Sequence, residues 1–250
     1  MPVLVITQIH PLRPYASCSL FPKKDFLDYT QNMRPELLLF DLDDTLYPPT
    51  TGLWEEIGTR IDDFIFETLN MPREEIKPFR TNLYQQYGTT LRGLQILHNI
   101  DPHAYLDFVH DVPLEQYLQP NQALRDALQK IPIKKWIFTN ADIKHAQRVT
   151  RLLGIGDCFN RIVDVLDVAP YCKPMPEAFQ KVLEMTDFQN AQQVALFEDT
   201  RKNILTAREL GFYTIQVGGA LNHAAHDYIS SLLEIHRLFK PDFSLRGSLK

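Results

Sequence analysis

Four short groups of polar residues each stand just behind an apolar run, and their types suit phosphoryl transfer. Leu37-Leu38-Leu39-Phe40 runs into Asp41-Leu42-Asp43-Asp44-Thr45, Trp136-Ile137-Phe138 into Thr139-Asn140, and Val194-Ala195-Leu196-Phe197 into Glu198-Asp199-Thr200. Lys173-Pro174 follows the run Arg161–Val165 after a loop. Clustered carboxylates stay ionised near neutral pH only when a cation compensates them. An all-oxygen set completed by substrate phosphate suits Mg²⁺, which takes few protein ligands and keeps several waters. Asp41 is then the candidate nucleophile on phosphorus, through an aspartyl phosphate. Asp43 is placed to protonate the leaving oxygen and afterwards to activate water. Lys173 and the Thr139 hydroxyl are candidates to hold the equatorial phosphoryl oxygens, where fixed charges and dipoles contribute most. Each group alone has an ordinary explanation: a turn, a strand-to-helix cap, a solvated lysine, acids favoured at a helix start. All four in this order, each behind its own strand, are hard to obtain by chance.

Positioning such groups requires elements that bring four distant segments to one edge. Continuous apolar strands are expected at Leu37–Phe40, Lys135–Phe138, Arg161–Val165, Val194–Phe197 and Tyr213–Val217, alternating with helices. Asp142 is expected to cap a helix that stops at Gly154, Pro176 to open the next, and Thr200 to cap one that stops at Gly211. That alternation implies a doubly wound, Rossmann-like α/β core around a parallel sheet covered on both faces. Reactive groups in such sheets gather outside the carboxyl ends of the strands, which is where the four polar groups stand. The alternation breaks between residues 50 and 118. There Leu53, Trp54, Ile57, Ile61, Phe64, Ile65 and Leu69 repeat at helical spacing as one apolar face, and further helices are expected near 72–87 and 102–110. The stretch Tyr87-Gly88-Thr89-Thr90-Leu91-Arg92-Gly93 is expected as a loop between them. The division follows: a tail at 1–34, the core at 35–49 and 119–239, an inserted all-helical cap at 50–118, and a tail at 240–250.

Composition narrows the classes. With 44% hydrophobic and 23% charged residues over 250, the chain has material for a sizeable core and no disordered or collagen-like bias. No apolar run reaches the roughly 18–20 residues a bilayer span needs, so no membrane partner is expected. The 26 Lys+Arg against 31 Asp+Glu offer no dense basic run, which argues against a nucleic-acid polymer. Cys18, Cys158 and Cys172 show no zinc spacing and read as free thiols in a reducing, cytoplasmic setting. Residues 1–32 read as a flexible tail or an over-extended start before Met33; a transit peptide is the alternative, drawing on Arg13, Lys23 and Lys24.

The motifs D-L-D-D-T at 41–45, T-N at 139–140, K-P-x-P-E-x-F at 173–179 and E-D-T-x-x-N-x-x-x-A at 198–207 resemble the four motifs of the haloacid dehalogenase superfamily of phosphatases. The resemblance covers about residues 35–220. Within it, D-L-D-D-T-L-Y-P at 41–48 and Y-G-T-T-L-R-G-L at 87–94 look like the pyrimidine 5′-nucleotidase branch. The resemblance implies Asp41 as nucleophile, Asp43 as acid/base, and Thr139, Asn140 and Lys173 on phosphate. It implies Mg²⁺ on the Asp41 carboxylate, the Asp43 carbonyl and Asp199, with Glu198 assisting. Glu198-Asp199 departs from the two aspartates more usual in that branch and resembles the sugar-phosphate mutases of the same fold. Asp43 itself argues against dehalogenation.

The expected activity is therefore Mg²⁺-dependent hydrolysis of a small phosphate monoester, first a pyrimidine nucleoside 5′-monophosphate. A sugar phosphomutase or sugar-phosphate phosphatase is the alternative, and a non-catalytic phospho-acceptor or scaffold the remote one. A homodimer is left open. In the cap, Arg92 is a candidate to face substrate, while Tyr84 and Tyr87 are read as buried structural tyrosines, stacking on a base or pairing with phosphate being the alternative. Cys172 is read as a small loop thiol, a depressed pKa beside Lys173 being the alternative. His223 and His226, three apart on an expected C-terminal helix, are read as a helix face rather than a metal site.

Overall fold

A computed structural model describes residues 33–188 and 190–246 of the chain. The expected tail at 1–34, its transit-peptide alternative and Cys18 lie outside the described residues, apart from Met33 and Arg34. Six strands form one parallel sheet in the order β3-β2-β1-β4-β5-β6: β1 Leu37–Phe40, β2 Lys134–Phe138, β3 Arg161–Val163, β4 Val194–Glu198, β5 Tyr213–Val217 and β6 Asp227–Ile229. The period-two pleat sends Leu38 and Phe40 of β1 into one apolar cluster and Leu37 and Leu39 into another, so both faces are buried. The first face packs on α5 Gln122–Gln129 and α6 Ile143–Leu153 through Leu124, Leu128, Ala146 and Val149. The second packs on α7 Pro176–Glu184 and α8 Arg201–Glu209 through Ala178, Phe179, Val182 and Ala207. Phe40 stacks on Phe197 at 4.5 Å and 9° where β1 meets β4.

Between β1 and α5 come four helices: α1 Leu53–Leu69, α2 Arg73–Tyr87, α3 Thr90–His98 and α4 Pro102–Val109. Their inner residues, among them Leu53, Ile57, Ile65, Leu83 and Leu94, join the same apolar cluster as the first face of the sheet. No helix among the described residues is long and apolar enough to cross a membrane.

Several expectations change. The stretch 87–93 is not a loop: α2 stops at Gly88 and α3 starts at Thr90. The physical reason is Thr89, whose hydroxyl accepts the Arg92 amide at 3.1 Å as an N-cap. Arg92 therefore sits in the first turn of a helix. Strand β3 ends at Val163 rather than Val165, because the Asp164 carboxylate takes the Leu166 and Asp167 amides at 2.9 Å and turns the chain. The expected C-terminal helix carrying His223 and His226 is absent. His223 lies at φ 55°, and His226 leads into β6 with its ring Nδ1 accepting the Thr214 amide at 3.0 Å. Thr200 stands before α8, yet its hydroxyl lies 3.4 Å from the Asp199 carboxylate rather than capping an amide. Finally, the expected tail is folded as far as residue 246: Leu245 is buried, and its amide donates to the Met33 carbonyl at 2.8 Å.

Candidate active site

Sheet register alone places the first two acids. Phe40 pairs with Ile137 on one side and Phe197 on the other, so Asp41 leaves β1 level with Phe138 and Glu198. Its amide still donates to the Phe197 carbonyl at 2.9 Å, which fixes the backbone from which the carboxylate projects. Thr139 directly follows β2, its amide donating to the Val163 carbonyl at 3.1 Å. The Thr139 hydroxyl accepts the Ala141 amide at 3.0 Å, which leaves the hydroxyl proton available to an anion.

Lys173 arrives from the loop after β3 and is held by Asn140. The Asn140 amide donates to the Lys173 carbonyl and its oxygen accepts the Lys173 amide, both at 2.9 Å. Asn140 was expected on phosphate; it lines the cleft but commits its side chain to the Lys173 backbone. Lys173 Nζ then bridges Asp41 Oδ1 at 2.5 Å and Glu198 Oε2 at 2.8 Å, with all three side chains almost fully buried. The other Glu198 oxygen accepts the Thr200 amide at 3.1 Å, so Glu198 is anchored at both ends.

Asp41, Glu198 and Asp199 offer carboxylate oxygens that lie within 4.8 Å of one another. Burial and mutual repulsion push Asp41 and Glu198 up to about 7 and Asp199 up to about 6, although Lys173 pulls against the rise. Burial alone would lower Lys173, but the Asp41 and Glu198 carboxylates outweigh it and hold the ammonium charged. Burial and the Asp43 carboxylate push Asp44 up to about 6, and its buried Oδ1 has no hydrogen-bond partner. One ammonium thus faces a surplus of acids. A hard divalent cation with oxygen ligands fits that donor set and that charge deficit.

Asp43 lines the same cleft with hydrogen-bond partners of its own. Its Oδ1 accepts the Tyr47 hydroxyl at 2.5 Å and lies 3.3 Å from His145 Nε2. Burial would raise its carboxyl, but the His145 ring and the Tyr47 hydroxyl outweigh that and hold it below the ordinary carboxylate value.

A cleft of about 390 Å³ opens over these groups, roofed by the inserted helices through Trp54, Ile57, Tyr84 and Leu106. Trp54 is expected on the apolar face of its helix and Tyr84 as a buried structural tyrosine. Trp54 is 48% exposed and Tyr84 41% exposed, both at the cleft. The helical spacing that counted Trp54 with Leu53 and Ile57 gives a residue's side of the helix, not what that side faces. Arg80 supplies the cation on the cleft wall, tied to Asp62 at 2.8 Å. Arg92, the expected substrate contact, is not among the residues lining the cleft; its charge acts on the Cys172 thiol. Burial pushes that thiol up rather than down. Sequence reasoning passed over Tyr47 and His145. Tyr47 had a signal, standing four residues after Asp43 inside the first motif, whereas nothing in the sequence ties His145 to Asp43 across 102 residues.

Comparison with known proteins gives three kinds of likeness. A family model described as haloacid dehalogenase-like hydrolase matches residues 35–211. Among curated proteins, the chain is 28% identical over 207 residues to Phosphate metabolism protein 8 of Saccharomyces cerevisiae. That match covers 77% of this chain but only 63% of the yeast protein's length. It is 27% identical over 222 residues to pyrophosphatase PpaX of Bacillus cereus, covering 85% of this chain and 93% of PpaX. Among solved structures, the hydrolase YfnB of Bacillus subtilis, bound to magnesium, superposes with a TM-score of 0.56 at 20% identity, covering 82% of this chain and 98% of YfnB. At that identity the likeness speaks for the fold.

Proposed function

Since the chain belongs to the haloacid dehalogenase-like hydrolases, we propose that it hydrolyses small phosphate monoesters through a phosphoaspartate on Asp41, with Mg²⁺, and that a pyrimidine nucleoside 5′-monophosphate is its substrate. The observation that carries this is the buried Lys173 ammonium bridging Asp41 and Glu198 beneath a helical roof, with Asp43 close by. Asp41, Asp199 and the Asp43 carbonyl, assisted by Glu198, would hold the metal, which when bound neutralises phosphate charge as a Lewis acid.

The chain's own groups account for the rest. Lys173 orients the Asp41 carboxylate and favours its ionised form, and shares its charge with an incoming phosphoryl group. An Asp41 oxygen forms the bond to phosphorus in line as the ester P–O bond breaks, and Asp43, having taken up the proton that a monoanionic ester brings in, hands it to the departing alkoxide. Asp43, again ionised, then takes a proton from water attacking the phosphoaspartate, so inorganic phosphate leaves and Asp41 is restored. The Thr139 hydroxyl donates to an equatorial oxygen. The Lys173 loop, fixed by Asn140, keeps the ammonium in register with β1 through both steps.

The substrate class rests on the roof. Trp54 and Tyr84 line the cleft with exposed aromatic side chains, and a planar base has a π-face to pack against such rings. We place the cap at 50–118, where it excludes water from the phosphoaspartate and reads the leaving group. The test is phosphate release from UMP, CMP, AMP, sugar phosphates and p-nitrophenyl phosphate, with Mg²⁺ and with EDTA, for the native chain and Asp41→Asn. The expected result is Mg²⁺-dependent release, fastest from UMP or CMP, and lost in Asp41→Asn. Preference for a sugar phosphate would remove the nucleotide assignment and keep the chemistry. Isomerisation of a sugar phosphate with almost no phosphate released would replace the hydrolase by a mutase.

A further inference from the structure

Resting on that phosphatase reading, we infer that Tyr47 and His145 are positioning residues that clamp one oxygen of Asp43, so that the other can serve both proton transfers from one place. The clamp is built from two separate elements. Tyr47 stands in the turn after β1, almost fully buried, and donates its hydroxyl to Asp43 Oδ1 at 2.5 Å. His145 lies in the first turn of α6 with its side chain wholly buried, and its Nε2 meets the same oxygen at 3.3 Å. Asp43 Oδ2 takes no hydrogen bond from the described residues, and Asp43 lines the cleft.

The clamp is itself held. Asp142 accepts the His145 amide at 2.6 Å and fixes the start of α6. The His145 ring stacks on His110, with centroids 4.2 Å apart and planes at 20°. His110 ends α4, and Arg148 of α6 grips its carbonyl at 2.8 Å and that of Val112 at 2.7 Å. The inserted helices therefore back the ring that backs Asp43. A carboxylate at the edge of an open cleft is satisfied by water alone, so two buried donors converging on one of its oxygens serve orientation rather than solubility.

The chemistry makes that orientation matter. In an in-line mechanism the alcohol departs from, and water later attacks at, the apical position opposite Asp41. One carboxylate oxygen must meet both, before and after the substrate's bulk has gone. A side chain free to rotate between rotamers would be misplaced for part of each cycle.

Rates of phosphoenzyme formation and breakdown in rapid-quench experiments test this across p-nitrophenyl phosphate, phenyl phosphate and an alkyl phosphate, for Tyr47→Phe, His145→Leu and His145→Gln. p-Nitrophenolate leaves without a proton, whereas an alkoxide needs one. The expected result for Tyr47→Phe and His145→Leu is formation slowed about tenfold to a hundredfold for the alkyl ester and less than about threefold for p-nitrophenyl phosphate. Breakdown slows to match the alkyl ester, and KM for that ester is unchanged. Asp43→Asn should give the same ordering with larger losses. His145→Gln, whose amide can donate where the ring did, should recover much of the rate. Equal losses across the three esters, or none, would overturn the clamp. Should Tyr47→Phe fail to fold, the His145 pair decides. If the native chain forms no phosphoenzyme with any ester, the phosphatase reading falls and the clamp with it, an outcome distinct from an active enzyme with a flat ester series.

Discussion

A lysine buried between two carboxylates does two jobs whose costs differ when it is removed. Lys173 orients Asp41 and also compensates charge that Asp41 and Glu198 carry inside the protein. Lys173→Met should lower phosphatase activity by at least about a hundredfold. Breaking a buried ion pair on one side also leaves uncompensated charge, which typically costs about 3–5 kcal/mol. Urea unfolding at pH 7.5 without metal should therefore show a marked loss for Lys173→Met, and the deficit should shrink at pH 5.5, where the two orphaned carboxyls take up protons. A deficit independent of pH would mean that lost packing, not charge, is responsible. Asn140 belongs to the same scale. Its two hydrogen bonds to the Lys173 backbone make a residue expected to touch phosphate the bracket that holds the Lys173 loop.

The elements matter where two of them touch. Gly88 ends α2 at φ 88°, and a Cβ there would come 3.1 Å from Cys172 Sγ and 3.5 Å from the Lys173 carbonyl. The turn between α2 and α3 thus rests directly on the loop that carries Lys173. Gly93 allows the other close approach, since a Cβ there would fall 2.7 Å from Leu83 Cδ2 and 2.9 Å from its Cβ. Gly93→Ala should cost about 1–3 kcal/mol through overpacking of α2 against α3. Gly88→Ala should cost at least about 1 kcal/mol through the left-handed backbone, and in addition should lower kcat by disturbing the Lys173 loop. Thermal melts and steady-state kinetics on the pair separate these. A Gly93→Ala enzyme that melts early yet turns over normally, beside a Gly88→Ala enzyme impaired in both, is the expected contrast. Unchanged kcat in a folded Gly88→Ala would sever the turn from the site.

For the whole molecule, the acids at the site link stability to pH and metal. Asp41 and Glu198 sit near 7 and Asp199 near 6, above the usual carboxylate range that holds in the unfolded chain. The folded form therefore binds more protons between about pH 4 and 7. The penalty of carrying these charges is absent below the unfolded values and fully present above the folded ones. The metal-free protein is accordingly penalised most at pH 8. A cation that binds the ionised cluster relieves that penalty, while protons compete with it at lower pH. Saturating Mg²⁺ should raise Tm by roughly 5–10 °C at pH 8 when in hundredfold excess over its dissociation constant. The rise should be clearly smaller at pH 5.5, and Asp199→Asn should diminish it. A Tm shift that does not depend on pH would place the ion elsewhere.

Much of this was legible from residue types and spacing, because parallel sheets leave local signatures. Continuous apolar runs marked five of the six strands, and the polar residues behind them marked the edge where Asp41, Thr139, Lys173, Glu198 and Asp199 gather. Local chemistry also predicted the Asp142 cap and the Gly154 stop, since both act within a few residues. The last strand escaped because Asp227–Ile229 is only three residues long and is held by hydrogen bonds to β5, not by its own pattern. Trp54 and Arg92 show the other limit. Spacing gives the angular position of a side chain about its helix, but the neighbouring element decides whether that direction meets core, cleft or another loop. The same holds for the clamp on Asp43. Tyr47 is a local neighbour, but His145 comes from 102 residues away and depends on His110 and Arg148 to stay in place. Sequence by itself determined the sheet and which titratable groups gather at its edge, because residue types and strand ends are local facts. Tertiary structure alone decided which side chains hold the reactive ones still and which line the roof, because those are contacts between surfaces that share no stretch of chain.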